Sequence, residues 1–296
     1  MMTNRYVVLT AAKNEDRYIA ATIESVLRQT TRPAAWFIVD DGSTDKTAEI
    51  VASYAIAHPF IHLLSTSAGA KRSFGAQYRA INAAYEVACT TLDFDFVAMQ
   101  DADIELPQSD YYSRLIASFE SEPRLGVSGG YIHERAGTEW KCRPSNSTQA
   151  VAGGIQMFRR ICFDAIGGYK PLAFGGEDWL AQLDVKAIGW TVRPVTQLPV
   201  HHHRPTSTAD GRTRGLFRMG MRDASFGSHP LFELLKCLRR AGEKPYLLGS
   251  AIRYAGYTWF ACTGPGPVIP SDKVGPLRAD QVSRLLPHRT QPQLRS

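Results

Sequence analysis

Asp93-Phe94-Asp95-Phe96-Val97-Ala98-Met99-Gln100-Asp101-Ala102-Asp103 is a short apolar run that ends in two carboxylates one residue apart. Phe94 to Met99 reads as a buried strand, which puts Asp101 and Asp103 just past its carboxyl end. In an open α/β sheet, that edge is where ligands bind. Two carboxylates held close repel until a cation or a set of donors neutralises them. A hard divalent ion, Mg2+ or Mn2+, suits such a pair, with phosphate oxygens completing its shell. An acidic loop between strand and helix would carry the same letters, so the rest of the chain decides.

Toward the N-terminus, Tyr6-Val7-Val8-Leu9-Thr10, Trp36-Phe37-Ile38-Val39 and Phe60 to Leu64 read as three further strands. Helical spacing covers Glu15 to Arg28, with Ile19, Ile23, Val26 and Leu27 on one face. It returns from about Asp45 to Ala57, with Ser43 or Thr44 as cap, and from Ala70 to Cys89. Four strands alternating with helices predict an α/β fold with a mostly parallel, Rossmann-like sheet flanked by helices. The second strand runs into Asp40-Asp41-Gly42-Ser43-Thr44-Asp45, a second acidic pair at a strand's carboxyl end. Two such pairs on one edge suit a nucleotide, one carboxylate for base or ribose and another for the metal on its diphosphate. A turn plus helix cap is the competing reading of Asp-Gly-Ser. Lys71 and Arg72 open the third helix, where cations and free N–H groups make a site for the diphosphate, or simply a solvated helix end.

Beyond Pro107 a helix reaches about Phe119 and a strand runs from Leu125 to Tyr131. Glu134 to Thr148 is polar and reads as a flexible loop, either bordering an acceptor site or a plain surface excursion. Val151 to Phe158 resumes the sheet, with Gly153 and Gly154 allowing a substrate close to the backbone. Arg159 to Ile166 is a short helix closed by Gly167-Gly168. Gly175-Gly176-Glu177-Asp178 leads into a helix to about Ile188, where the dipole favours acidic residues at the start, as cap or as catalyst. After the strand Trp190 to Arg193 comes Val200-His201-His202-His203-Arg204-Pro205. Adjacent residues of an extended segment point to alternate faces, so the three histidines cannot all reach one ion.

Taken together, Val7-Val8-Leu9-Thr10-Ala11-Ala12-Lys13-Asn14-Glu15, Val39 to Asp45, Asp101-Ala102-Asp103 and Gly175 to Asp178 resemble the family 2 inverting glycosyltransferases of the GT-A fold. The resemblance covers residues about 5 to 205, and its specificity lies in the order and spacing of the motifs. It implies a nucleoside-diphosphate sugar as donor and a divalent metal, Mn2+ or Mg2+, as cofactor. It places Ala11, Asn14, Glu15, Asp41, Asp101 and Ala102 around the donor, with Asp41 at the base and Asp101 at the ribose. Asp103 falls at the metal, and His202 or His203, of a segment similar to the His-His-Arg-Pro of this branch, completes the metal shell or touches the diphosphate. Asp178 is implied as the base that deprotonates the acceptor hydroxyl, with Glu177 orienting the acceptor or the helix start. The chain departs from the usual pattern with Ala11 where proline is common and Lys13 where an aromatic residue often stacks on uracil, and so leaves the nucleobase open.

The C-terminal part differs in charge. From Arg204 onward 15 Lys and Arg stand against 6 Asp and Glu, whereas 19 stand against 22 before it. Thr206 to Arg214 reads as a mobile loop over the donor, with Arg212 and Arg214 able to close on phosphate. From His229, Leu231, Leu234, Leu235 and Leu238 share a helix face, and Leu248, Ile252, Ala255 and Trp259 align within Tyr246 to Cys262. That apolar stretch contains Arg253 and is shorter than the roughly 20 residues of a membrane span. Basic, aromatic amphipathic helices suit the plane of an anionic membrane surface, and packing on the core is the alternative. The expected division is a transferase domain over 1–215, an amphipathic helical extension over 216–266 and a loosely ordered basic tail over 267–296.

At 296 residues with 44% hydrophobic and 21% charged, the composition is that of a folded globular chain. Five scattered cysteines without C-x-x-C spacing point to free thiols in a reducing compartment. Tyr6 to Ala12 is too short for a signal-peptide core, so the expected location is cytoplasmic, peripheral on the inner face of the cell membrane. No nucleic-acid-binding motif accompanies the positive charge. The absence of Gln-x-x-Arg-Trp disfavours a processive synthase. The expected reaction is inverting transfer of a sugar to a hydroxyl of a cell-envelope polysaccharide or lipid-linked acceptor. Its competitors are a non-catalytic nucleotide-sugar scaffold and an aspartyl phosphohydrolase, the last disfavoured because its D-x-D would follow the first strand.

Overall fold

The structure is a computed structural model that describes residues 4–66, 74–204, 212–243, 245–283 and 285. It divides into two compact units, Met1–Pro205 and Thr206–Ser296. Of the residues read with the transferase domain, 212–215 fall in the second unit.

The first unit is an α/β sheet with helices against it. β1 (Tyr6–Ala12), β2 (Ala35–Asp40), β3 (Ile61–Ser65) and β4 (Phe96–Met99) are separated by α1 (Ile19–Leu27), α2 (Thr47–Ala57) and α3 (Phe74–Thr91). They stand in the order β3-β2-β1-β4, and every neighbouring pair is parallel. β2 is buried along its whole length and β1 nearly so, which is why both read as continuous apolar runs and not as alternation. Ile19, Ile23 and Val26 of α1 bury one face, as their spacing requires. The cap position of α2 is Lys46, without a side-chain cap, and just before it Asp45 Oδ1 accepts from the Thr47 N–H at 3.0 Å and the Thr47 hydroxyl at 2.6 Å. Ser43 and Thr44, expected as caps, bond instead to Asn14.

Beyond β4 the sheet turns mixed. β5 (Ile104–Glu105), α4 (Tyr111–Ser121), β6 (Leu125–Ala136), β7 (Glu139–Cys142), β8 (Met157–Arg159), α5 (Arg160–Ala165), α6 (Glu177–Ala187) and β9 (Thr191–His202) follow in sequence. β4 pairs antiparallel with β8, β8 antiparallel with β6, β6 parallel with β9, and β9 antiparallel with β5. The sheet order thus continues β4-β8-β6-β9-β5, with β7 on β6.

Three expectations change. Residues 134–142, read as the start of a flexible loop, are the end of β6 and the hairpin strand β7, because Gly137 at φ 68° supplies the turn conformation. Residues 151–158 are not one strand, since Gly153–Ile155 winds into a 3-10 turn before β8. The last strand extends far past Arg193, to His202.

The second unit is helical: α7 (Arg212–Ser225), α8 (Pro230–Arg239), α9 (Leu248–Thr263) and α10 (Ser271–Ser283). Arg212 and Arg214, expected in a loop, open α7, and residues 205–211 lie outside the described residues. α10 occupies part of the stretch read as loosely ordered and carries Pro276 inside it. α7 and α9 approach closely: a Cβ at Gly220 would overlap the Arg253 carbonyl, and one at Gly256 the Phe217 carbonyl. All five cysteines are free. Among the described residues no helix is long and apolar enough to cross a membrane.

Candidate functional site

Because β1, β2 and β4 run parallel, the residues just past each one share a sheet edge: Lys13 to Glu15, Asp41, and Asp101 to Asp103. The first two loops are laced into one rim. Asn14 sits at φ 57°, a conformation Asn tolerates better than most residues. Its N–H donates to Ser43 Oγ at 3.0 Å, and its Oδ1 accepts from the Thr44 N–H at 2.8 Å. The Glu15 N–H donates to Thr47 Oγ1 at 2.7 Å, and that of Asp16 to Asp45 Oδ2 at 3.1 Å. Asn14, expected at the donor, is thus committed to holding the rim. Asp41 accepts from the Thr66 hydroxyl at 3.0 Å and lies 3.7 Å from Lys13 Nζ. Ala11 sits in the ladder opposite Val39. Ala102 is buried and its carbonyl accepts from the Thr22 hydroxyl, so its methyl belongs to the core. Lys71 and Arg72 lie outside the described residues.

Two acidic side chains far apart in sequence meet at the Gly153-Gly154 turn. A Cβ at Gly154 would overlap the Asp101 carboxylate, and one at Gly153 would stand 2.7 Å from Asp178 Oδ2. The glycines were expected to admit a substrate; they admit the protein's own carboxylates. Asp101 is further fixed by its N–H to the Gly154 carbonyl at 3.0 Å and by Gln77 Nε2 donating to Oδ1 at 3.0 Å. Burial, then the neighbouring Asp103, push the Asp101 carboxyl up to about 7, with Asp178 and Glu15 acting the same way and His202 opposing. At the Asp101 carboxyl, burial and the like charges outweigh His202.

Asp103 faces the cations. Its Oδ1 is 3.4 Å from His202 Nε2 and its Oδ2 is 3.2 Å from Arg204 Nε, while Arg204 Nη2 also pairs with Glu15. Burial would raise the Asp103 carboxyl, but the bonds and charges of His202 and Arg204 outweigh it and hold the group below its ordinary value. Burial likewise opposes a proton on His202, and Asp103 outweighs it, so the imidazole titrates above its usual range. His202 Nδ1 is buried without a hydrogen bond, 4.0 Å from Glu134 Oε1. The strand alternation separates the histidines as expected. His201 stacks on Trp140 at 4.1 Å, and His203 meets Glu105 at 3.1 Å and Tyr18 at 5.4 Å. Of the two proposed metal ligands, His202 alone points its ring at the Asp103 carboxylate.

Asp178 and Glu177 open α6 after Gly175 and Gly176, at φ 80° and 101°. Glu177 is 1% exposed; its Oε1 accepts from the Leu172 N–H at 2.9 Å and its Oε2 is buried without a hydrogen bond. Burial raises its carboxyl above the ordinary value. Asp178 is only half-buried. Its backbone is pinned by Gln156 and Gln182, which both donate to the Asp178 carbonyl, while Gln182 Oε1 accepts from Val151 at 2.7 Å. The Tyr169 hydroxyl in turn donates to Gln156 at 2.6 Å. The first turn of α6 is thereby locked to the 151–156 segment that bears the glycine turn.

A divalent ion fits Asp103 and His202. Two ligands on about 2.1 Å arms at near right angles stand roughly 3 Å apart. The observed 3.4 Å between Oδ1 and Nε2 is close to that. Among the described residues, no three His, Cys, Asp or Glu side chains are arranged to hold an ion alone, so other ligands must complete such a shell. Arg204, Gln77, Gln156 and Gln182 were missed as site residues. Arg204 stood inside the quoted histidine segment, whereas the glutamines carry no local signal.

The glycosyl transferase family 2 model matches residues 7–176, more than half of the chain. The chain belongs to glycosyltransferase family 2. The uncharacterized glycosyltransferase YibD of Escherichia coli (strain K12) is 27% identical over 151 residues, which are 50% of this family 2 chain and 41% of YibD. The chain therefore spans about two fifths of that relative's length. Among solved structures it is similar to mannosyltransferase PcManGT from Pyrobaculum calidifontis in complex with GDP-Man and Mn2+. That likeness has a TM-score of 0.59 at 16% identity, over 95% of this chain and 81% of the other. TarS of S. aureus with UDP-GlcNAc gives 0.53 at 14% identity over 95% and 80%, and GalNAc-T7 with UDP, GalNAc and Mn2+ gives 0.54 at 15% over 88% and 56%. This family 2 chain has the GT-A fold.

Proposed function

We propose that the chain moves a sugar from a nucleoside-diphosphate sugar to an acceptor hydroxyl, with inversion and with a divalent metal. The observation that carries the reading is the convergence of Asp101 and Asp178 on adjacent glycines, with Asp103 two residues away bearing His202 and Arg204. Asp103 and His202 would hold Mn2+ or Mg2+, which when bound stabilises charge on the departing diphosphate. The neighbours' complexes with nucleotide or nucleotide sugar and Mn2+ support both donor and metal. Asp101 is assigned to the donor ribose and Asp41 to the base.

Asp178 acts as general base. Its carboxylate lies on the glycine turn beside Asp101 and is half-buried, whereas Glu177 is sealed in and bonded to the Leu172 N–H. Glu177 positions the helix start. A base that removes the acceptor proton as oxygen attacks the anomeric carbon yields inversion in one displacement, and holding both substrates in line supplies further rate. The basic, apolar C-terminal unit supports an envelope glycan or lipid-linked acceptor presented at an anionic surface.

The test is a screen of nucleotide sugars for thermal protection with and without Mn2+, since a bound ligand raises stability by mass action. Metal-dependent protection by a nucleotide sugar is the expected result, and protection by none would sink the assignment. Donor protection without any transfer to glycan or lipid-linked acceptors would favour a non-catalytic scaffold.

A further inference from the structure

α8 and α9 are built inside out. Glu233 of α8 is fully buried, and Arg253, the sole charge of α9, has a side chain only 6% exposed. These charges pair inside the second unit: Arg253 Nη2 lies 2.5 Å and Lys236 Nζ 3.0 Å from Asp223 Oδ2, and Arg253 Nε lies 3.2 Å from Glu233 Oε1. The leucines face the other way. Leu231, Leu234 and Leu238 of α8 are all exposed, Leu238 at 60%. The turn into α9 presents Tyr246, Leu247 and Leu248, with Leu247 at 72%. Leu247 also adopts φ 56°, a costly backbone for leucine, held by its N–H to the Ala241 carbonyl at 2.9 Å. Along α9 the exposed line runs on through Ala251, Ala255 and Trp259 without a charged side chain.

A helix pair that buries Glu233 and Arg253 and exposes Leu231, Leu234 and Leu238 is matched to an apolar medium, because burial of a charge costs energy that only good pairing offsets. The medium must also carry negative charge. From Thr206 on, 14 Lys and Arg stand against 6 Asp and Glu, so two copies of this unit would repel while an anionic surface attracts. Arg239, at the end of α8 beside the leucine face, is exposed. Tyr246 and Trp259 have the ring chemistry that favours the headgroup layer. At 16 residues α9 is about 24 Å long, short of the roughly 30 Å hydrocarbon layer, so it lies along the surface and does not cross it.

We propose that the exposed α8–α9 face embeds in the headgroup layer of an anionic lipid bilayer, with Leu238, Leu247 and Trp259 entering the acyl boundary. The proposal rests on the surface-acceptor part of the proposed function and is independent of its transfer chemistry. It is tested by flotation of the full chain with vesicles of phosphatidylcholine alone or mixed with phosphatidylglycerol. The comparison is the triple variant Leu238→Glu, Leu247→Glu, Trp259→Glu, whose three sites are exposed and so leave folding intact. The expected result is binding to the anionic vesicles that falls by about tenfold or more in the variant. Melting temperature and Mn2+-dependent donor protection should be unchanged, which separates failure here from failure of the transferase reading. Equal flotation of variant and wild type would overturn the proposal. So would a wild-type chain that ignores vesicles but forms a dimer that the variant dissolves.

Discussion

The two units place charge in opposite ways. In the first, apolar strands fill the interior and the carboxylates stand where strands end and a helix begins, at a rim. In the second, Asp223, Glu233, Lys236 and Arg253 are gathered inside, and leucine, tyrosine and tryptophan are turned outward. Of the exposed large hydrophobic residues, Ile56, Val87, Ile161 and Ile188 belong to the first unit and nine to the second. The contrast separates two uses of a carboxylate. At the rim, Asp101 is crowded by the like charges of Asp103, Asp178 and Glu15. In the helical unit, Asp223 has its cations built in.

The largest expected effect tests the rim. Asp178→Asn should lower the transfer rate by about 10^2 to 10^4-fold, the usual worth of a general base, while donor protection survives. Full transfer by that variant would remove Asp178 from its role. The next test concerns the buried charges of the second unit. Arg253→Ala should cost up to about 3–5 kcal/mol in calorimetric unfolding, because Asp223 and Glu233 lose a buried cation and are left to share Lys236. Gly154→Ala should cost about 1–3 kcal/mol and depress transfer further, since the new Cβ displaces the Asp101 carboxylate. Outward leucines should matter least: Leu238→Glu should shift stability in buffer by no more than about 0.5 kcal/mol.

Acid sharpens the same contrast. Burial would raise the Asp223 carboxyl, but Lys236, Arg253 and Arg222 outweigh it and hold the group well below the usual carboxylate range. A group whose folded value lies below its unfolded value, about 3.9, stabilises fully above that pH and loses the contribution as pH falls below it. Glu233, raised by burial and by Asp223, slopes the other way. Wild type should therefore lose more stability below about pH 4 than Asp223→Asn does, measured by thermal unfolding across pH.

Much of the first unit was legible. Strands β1, β2 and β4 are buried on both faces and so read as unbroken apolar runs, while the edge strand β3 exposes His62 and Ser65. The antiparallel half was harder. β6 and β7 are polar where they form a hairpin, and β9 is long because it borrows register from β6. At the site, Asp41, Asp101, Asp103 and Asp178 stood out as carboxylates after strands or at a helix start. Arg204 became visible only through its bonds to Glu15 and Asp103, nearly 190 and about 100 residues away in the chain. The amphipathic spacing of α8 was legible too, but periodicity reports that a face exists and not which way it points.

The sequence by itself determined the four parallel strands, the helices between them and the carboxylates that follow a strand or open a helix, because those are local properties of side-chain period and backbone chemistry. Tertiary structure alone decided that Asp101 and Asp178 share one glycine turn, that the ring of His202 and not that of His203 meets the Asp103 carboxylate, and that Leu231, Leu234 and Leu238 of α8 look outward. Those outcomes depend on sheet register and helix rotation, which are set by packing between segments distant in the chain.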